Sequence, residues 1–117
     1  MQILLILNDP PYCTERCYNG LRLALALAKS EPAAAVTVFL MADAVLAAKA
    51  GQNTPDGYYN VERMLKVIIA GKGRILLCGT CMEARGLTEA EITAGAARST
   101  MNELAAATLA ADKVLVF

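Results

Sequence analysis

The sequence predicts an α/β fold: a three-layer α/β/α sandwich built on a mainly parallel five-stranded sheet. Three observations carry that prediction. Several short apolar runs are nearly continuous rather than alternating, as strands covered on both faces require. Segments that open with helix-capping residues separate these runs. The chain has 117 residues, 56% of them hydrophobic and only 19% charged, which is ample apolar content for one domain spanning residues 1–117.

Residues 2–8 read as the first strand, ended by Asn8-Asp9-Pro10-Pro11. Thr14 is placed to cap a helix running to about Lys29, with Leu21, Leu23, Leu25 and Leu27 inside it. Residues 35–41 (Ala-Val-Thr-Val-Phe-Leu-Met) form the second strand. Asp43 is placed to cap a short helix ending near Gly51, and Gln52 to Tyr59, rich in Asn, Pro, Asp and Gly, reads as the one sizeable loop. Asn60 caps a third helix that stops at Gly71, before the third strand, Arg74 to Cys78. Thr80-x-x-Glu83, Thr88-x-x-Glu91 and Thr100-x-x-Glu103 each fit the capping-box pattern, the last opening a helix to about Ala111. A short fourth strand is expected around Ala96 to Ser99, and residues 113–117 (Lys-Val-Leu-Val-Phe) form the last. Strands alternating with helices imply crossover connections and hence parallel pairing.

Composition excludes several functions. Lys plus Arg and Asp plus Glu number 11 each and are interspersed, so no basic patch awaits nucleic acid. The apolar start lacks a basic leader and is too short to span a bilayer, and later apolar runs are interrupted. A soluble cytoplasmic protein is expected. There, cysteines are reduced, metal-bound or catalytic more often than paired in structural disulfides. No paired carboxylates, phosphate-binding loop or nucleophile elbow is present. Gly71-x-Gly73 precedes a strand, the wrong side for a nucleotide fingerprint.

The chain has 4 cysteines and 0 histidines. Without imidazole, the usual general base, metal ligand and partner of a nucleophile are all missing. The expected chemistry is therefore thiol chemistry. The cysteines fall as Cys13-x-x-x-Cys17 after the first strand and Cys78-x-x-Cys81 at the end of the third. Sites in parallel sheets gather at the carboxyl ends of strands, and both pairs lie there. With Thr80 as cap, Cys81 would take the first helical position and Cys78 would face the same helix start, where unpaired N–H groups favour thiolates. Arg85 is the nearest cation, and Gly79 and Gly86 allow sharp turns around the loop. Cys81 is spaced to resolve a persulfide or mixed disulfide on Cys78. Cys17, third in its helix if Thr14 is the cap, would gain from that helix start too.

Several stretches resemble the DsrE family in its YchN-like branch. Pro11-Tyr12, Glu15, Asn19 and Leu21-Arg22-Leu23-Ala24 are similar to its first loop and helix. Phe39-Leu40-Met41-x-Asp43-Ala44-Val45 with Gly51-Gln52 is similar to its second strand and loop. Leu77-Cys78-x-x-Cys81-x-x-x-Arg85-Gly86 is similar to its cysteine loop, and Ala111-Asp112-Lys113-Val114-Leu115 to its ending. The resemblance implies a small α/β/α subunit of a sulfur-relay complex. It implies a cysteine that carries sulfane sulfur as a persulfide, at Cys78 with Cys81 as partner, a sulfurtransferase-like role. It further implies a homo-oligomer, a trimer or hexamer, with no cofactor. Cys13 and Cys17 lie outside the family pattern.

Two other readings stand beside this one. Cys13, Cys17, Cys78 and Cys81 could form a four-thiolate zinc site in a non-catalytic oligomeric interaction module. Alternatively, the cysteines are small apolar filler. Asn8, Asp9 and Asp43 lie at strand ends within reach of a ligand, Asp43 more simply as a cap. Tyr12, Tyr58 and Tyr59 suit interface packing.

Overall fold

A computed structural model describes residues 1–117. The chain runs β1 (Gln2–Leu7), α1 (Arg16–Ala28), β2 (Ala35–Leu40), a 3-10 helix (Ala42–Ala48), α2 (Val61–Ala70), β3 (Arg74–Cys78) and α3 (Gly79–Ala84). A 3-10 turn (Glu89–Glu91), β4 (Ala96–Ser99), α4 (Met101–Ala110) and β5 (Lys113–Val116) complete it. The five strands form one sheet in the order β4-β3-β2-β1-β5. Every neighbouring pair is parallel, as the continuous apolar runs require. Each predicted strand is present within a residue or two at its ends.

The strand order fixes the layers. From β1 through β4 the chain steps in one direction across the sheet; α4 then carries it back past β1 to β5. Right-handed crossovers therefore put α1 and α2 on one face and α4 on the other. The face carrying α1 and α2 is thickly covered. Cys17, Gly20, Leu21 and Ala24 form the buried stripe of α1, at the spacing of one helix face. A Cβ on Gly20 would lie 2.5 Å from Leu7 Cδ2, so this glycine lets α1 settle directly on β1. Val61, Leu65 and Ile68 anchor α2. By contrast, only Leu104 of α4 is buried. One continuous core of 25 buried residues joins the sheet to its helices.

Cap positions follow the prediction at two helices and depart from it at three. Asn60 caps α2 by accepting the Arg63 N–H at 3.1 Å, and Thr100 caps α4 by accepting the Glu103 N–H at 3.2 Å. Thr14 does not hold the cap position of α1, which falls to Glu15 without a side-chain bond; one residue earlier, the Thr14 hydroxyl accepts the Arg16 N–H at 3.3 Å and donates to Asp9 at 2.7 Å. Asp43 does not cap a helix. It lies in the first turn of the short helix expected here, which is a 3-10 helix ending at Ala48, and its carboxylate is held by Arg85. Thr88 and Glu91 do form a reciprocal capping box, but it opens only a single 3-10 turn. The third departure, at Thr80, belongs to the site. No helix is long and apolar enough to cross a membrane.

Candidate functional site

β3 runs into α3 with no loop between them. The extended backbone of Cys78 (ψ 117°) supplies the non-helical conformation that a cap needs. Its Sγ accepts the Cys81 N–H at 3.4 Å. The expected Thr80 cap is thus corrected: Cys78 caps α3 with its own sulfur. Thr80 sits second in the helix, its Oγ1 3.2 Å from that sulfur, and Cys81 is third rather than first.

Cys81 is held from the neighbouring strand end. The Ala42 N–H donates to Cys81 Sγ at 3.2 Å. Ala42 adopts φ 50°, a left-handed conformation unfavourable for a residue with a Cβ, so this turn is strained beside a thiol. Next to it, Asp43 Oδ1 accepts from Arg85 Nε at 2.7 Å, and Arg85 Nη1 donates to the Cys81 carbonyl at 3.1 Å. Arg85 therefore ties the cysteine loop to the turn after β2, and its charge is balanced by Asp43. Gly86, at φ 65° in open space, serves the turn that ends α3.

A second cation lies close by and has no counterpart in the sequence reading. Arg98 packs against Gly79: a Cβ there would fall 2.7 Å from Arg98 Nε. Its Nη2 is paired with Glu83 at 2.6 Å. Gly79 thus gives close approach rather than an unusual turn. The signal for Arg98 is tertiary. β4 pairs with β3 in a register that sets Arg98 opposite Leu77 and Ser99 opposite Cys78.

The surroundings drive the two thiols apart. Burial pushes Cys78 up, but hydrogen bonds to its sulfur from the Cys81 and Thr80 side chains and from the Cys81 and Thr80 N–H groups outweigh burial. They hold Cys78 below the ordinary thiol value. Burial pushes Cys81 up, and its hydrogen bond to Cys78 raises it further; the Ala42 N–H offsets this only in part. Of the two, Cys78 is thereby the thiol that loses its proton more readily. Cys78 is 8% exposed and Cys81 half-buried.

The other pair is not brought into this site. Cys13 is exposed, whereas Cys17 is 1% exposed on the buried face of α1. Burial, then the negative charge of Asp9, pushes the Cys17 thiol up to about 12. Cys17 is therefore not activated by its helix start; packing wins. No group of three or more Cys, Asp or Glu side chains is arranged to hold a metal, so the four-thiolate cluster is not assembled.

All 4 tyrosines gather on one patch. Tyr18 and Tyr59 stack at 4.0 Å, Tyr58 and Tyr59 at 4.6 Å, and Tyr12 and Tyr59 at 5.6 Å. Tyr12 donates its hydroxyl to the Gln52 side chain and accepts the Val61 N–H at 3.1 Å. Gln52 Nε2 in turn donates to the Ala47 carbonyl at 2.8 Å. The 3-10 helix therefore touches the cysteine loop at one end and the tyrosine patch at the other. Tyr18, the member the sequence did not single out, lies in the first turn of α1, where its stacking on Tyr59 depends on the tertiary fold.

Comparison with known proteins gives the same picture. The model of the DsrE/DsrF-like family matches residues 1–117. Protein YchN of Escherichia coli (strain K12) is 40% identical over 116 residues, 99% of this chain and 98% of that one. A Methanopyrus kandleri protein described as uncharacterized is 36% identical over 116 residues, covering 98% of this chain and 93% of its own. The crystal structure of the E. coli ychN protein superposes with a TM-score of 0.94 at 40% identity, covering 99% of this chain and 98% of the other. With sequence and sheet matched from end to end, the chain belongs to the DsrE/DsrF-like family.

Proposed function

We propose that the protein is a sulfur-relay subunit that carries sulfane sulfur as a persulfide on Cys78. The observation that supports this most is the unequal thiol pair: in the family's cysteine loop, Cys78 loses its proton more readily than Cys81. The Cys78 thiolate attacks the outer sulfur of a donor persulfide. A new S–S bond forms at Cys78, the donor S–S bond breaks, and its electron pair leaves with the donor thiolate, which takes up the proton. The exchange needs no oxidant. An acceptor thiolate then removes the outer sulfur by the same step in reverse. Attack by Cys81 on Cys78 would instead expel hydrosulfide and leave a Cys78–Cys81 disulfide, which a thiol reductant must reset.

Cys78→Ser is the direct test. Intact-protein mass spectrometry after exposure to a persulfide donor should show one added sulfur on the native chain and none on the variant, with fold and assembly unchanged. Sulfur loading of Cys78→Ser at the native rate would overturn the proposal. Cys81→Ser should still load, and release its sulfur more slowly.

The carrier acts as a homo-oligomer, a trimer or hexamer in keeping with the family. Support comes from the thinly covered face: Leu109 is 89% and Val116 67% exposed, and β5 is an edge strand.

A further inference from the structure

We propose a second ligand site, for a small organic carboxylate, at the end of the sheet opposite the cysteines. A cavity of about 420 Å³ opens there between α4 and the starts of β1, β2 and β3. That volume suits a small ligand. Its lining includes the α4 alanines Ala107 and Ala110 together with Thr37 and two exposed cations, Lys72 and Arg74. None of the five ion pairs includes Lys72 or Arg74. The one carboxylate in the lining, Glu103, accepts the Ser99 hydroxyl and caps no cation. The cavity thus offers two uncommitted cations beside an apolar lining, a match for a carboxylate on a short aliphatic body.

A second, independent observation lies in the backbone that presents Lys72. The end of α2 is a Schellman motif: the Lys72 N–H reaches the Ile69 carbonyl at 2.9 Å and the Gly73 N–H the Ile68 carbonyl at 2.8 Å. In that motif the left-handed residue is usually glycine. Here glycines stand on both sides, yet Lys72 takes the left-handed position at φ 69°. Gly73 has its own reason to be glycine, because a Cβ there would lie 2.4 Å from Ile68 Cγ2. A lysine is therefore kept in a strained conformation at a position where glycine fits better. Strain retained at one residue marks function more often than stability. Holding an ammonium at the cavity accounts for it.

Calorimetric titration of the full-length protein with butyrate tests the site, with butyramide as the uncharged comparator and inorganic phosphate as a compact anion. Butyrate should bind once per chain, and butyramide about tenfold or more weaker, as loss of a charge-assisted bond implies. Arg74→Gln should weaken butyrate by a similar factor. Lys72→Gly should weaken butyrate too, while raising the melting temperature of the ligand-free protein by a few degrees, because glycine relieves the strain. The proposal fails if butyrate does not saturate, if butyramide binds equally well, or if phosphate binds more tightly than butyrate. It also fails if Lys72→Gly lowers the melting temperature, for the lysine would then be serving the end of α2.

Discussion

Cys78 and Cys81 lie on one turn and differ in what surrounds each sulfur. Two N–H groups and a hydroxyl point at Cys78, whereas Cys81 gives its proton to Cys78 and receives one N–H from Ala42. A lowered thiol pKa means that the thiolate persists to lower pH. Iodoacetamide labelling of Cys78 should therefore show its midpoint below the ordinary cysteine value of about 8.5, and Cys81 above it. Thr80→Val removes the hydroxyl and should move the Cys78 midpoint upward. Peptide mapping across pH would read both; labelling of Cys81 before Cys78 would refute the assignment of roles. Much of this pair was legible from spacing and from its place at a strand end. The cap was not. Thr80 has the chemistry of a cap, but the strand runs into the helix without a loop, so the extended backbone the cap requires falls on Cys78. Nor could the sequence reveal Ala42 or Arg98, which meet the cysteine loop only through strand neighbours.

Among the α-helices, α4 has the fewest buried residues. Its single buried side chain is Leu104, and its start is fastened by Thr100. Thr100→Ala should lower stability by about 1 kcal/mol. Leu104→Ala should lower it by roughly 2–5 kcal/mol, seen as a lower urea midpoint with an unchanged slope. A loss of well under 1 kcal/mol in Leu104→Ala would mean that something beyond this chain's own core holds α4. The Thr100-x-x-Glu103 pattern gave the start of this helix correctly because the cap bond is local. The short helix expected after β2 is present as a 3-10 helix, but its cap was misplaced: Met41 holds the cap position, and Asp43 is turned to Arg85.

For the whole molecule, the parallel sheet sorts chemistry by edge. Strand ends carry the cysteines and tyrosines; strand starts carry the cationic cavity. The side of α4 and β5 is the thinly covered one, where the proposed oligomer would make its contacts. Val116→Glu places a charge on that exposed apolar edge and should reduce the mass found by light scattering. An unchanged mass would locate the subunit contact elsewhere. The strand pattern was readable because a sheet buried on both faces demands uninterrupted apolar runs. Which face stays bare was not readable, because it depends on the return path of the chain through α4.

Cys17 gives this molecule a built-in gauge of its own opening. It lies 1% exposed on the buried face of α1, in the same core that joins α1 to the sheet, and its thiol stays protonated up to about 12. A reagent meets it only when α1 lifts away or the chain unfolds. With Cys13 exposed, a single labelling time course should contain a fast phase for accessible thiols and a slow one for Cys17. When reclosing outpaces labelling, the slow rate divided by that of the unfolded chain gives the equilibrium fraction open. The stability of the native protein can thus be followed in dilute buffer, without denaturant, one sulfur at a time.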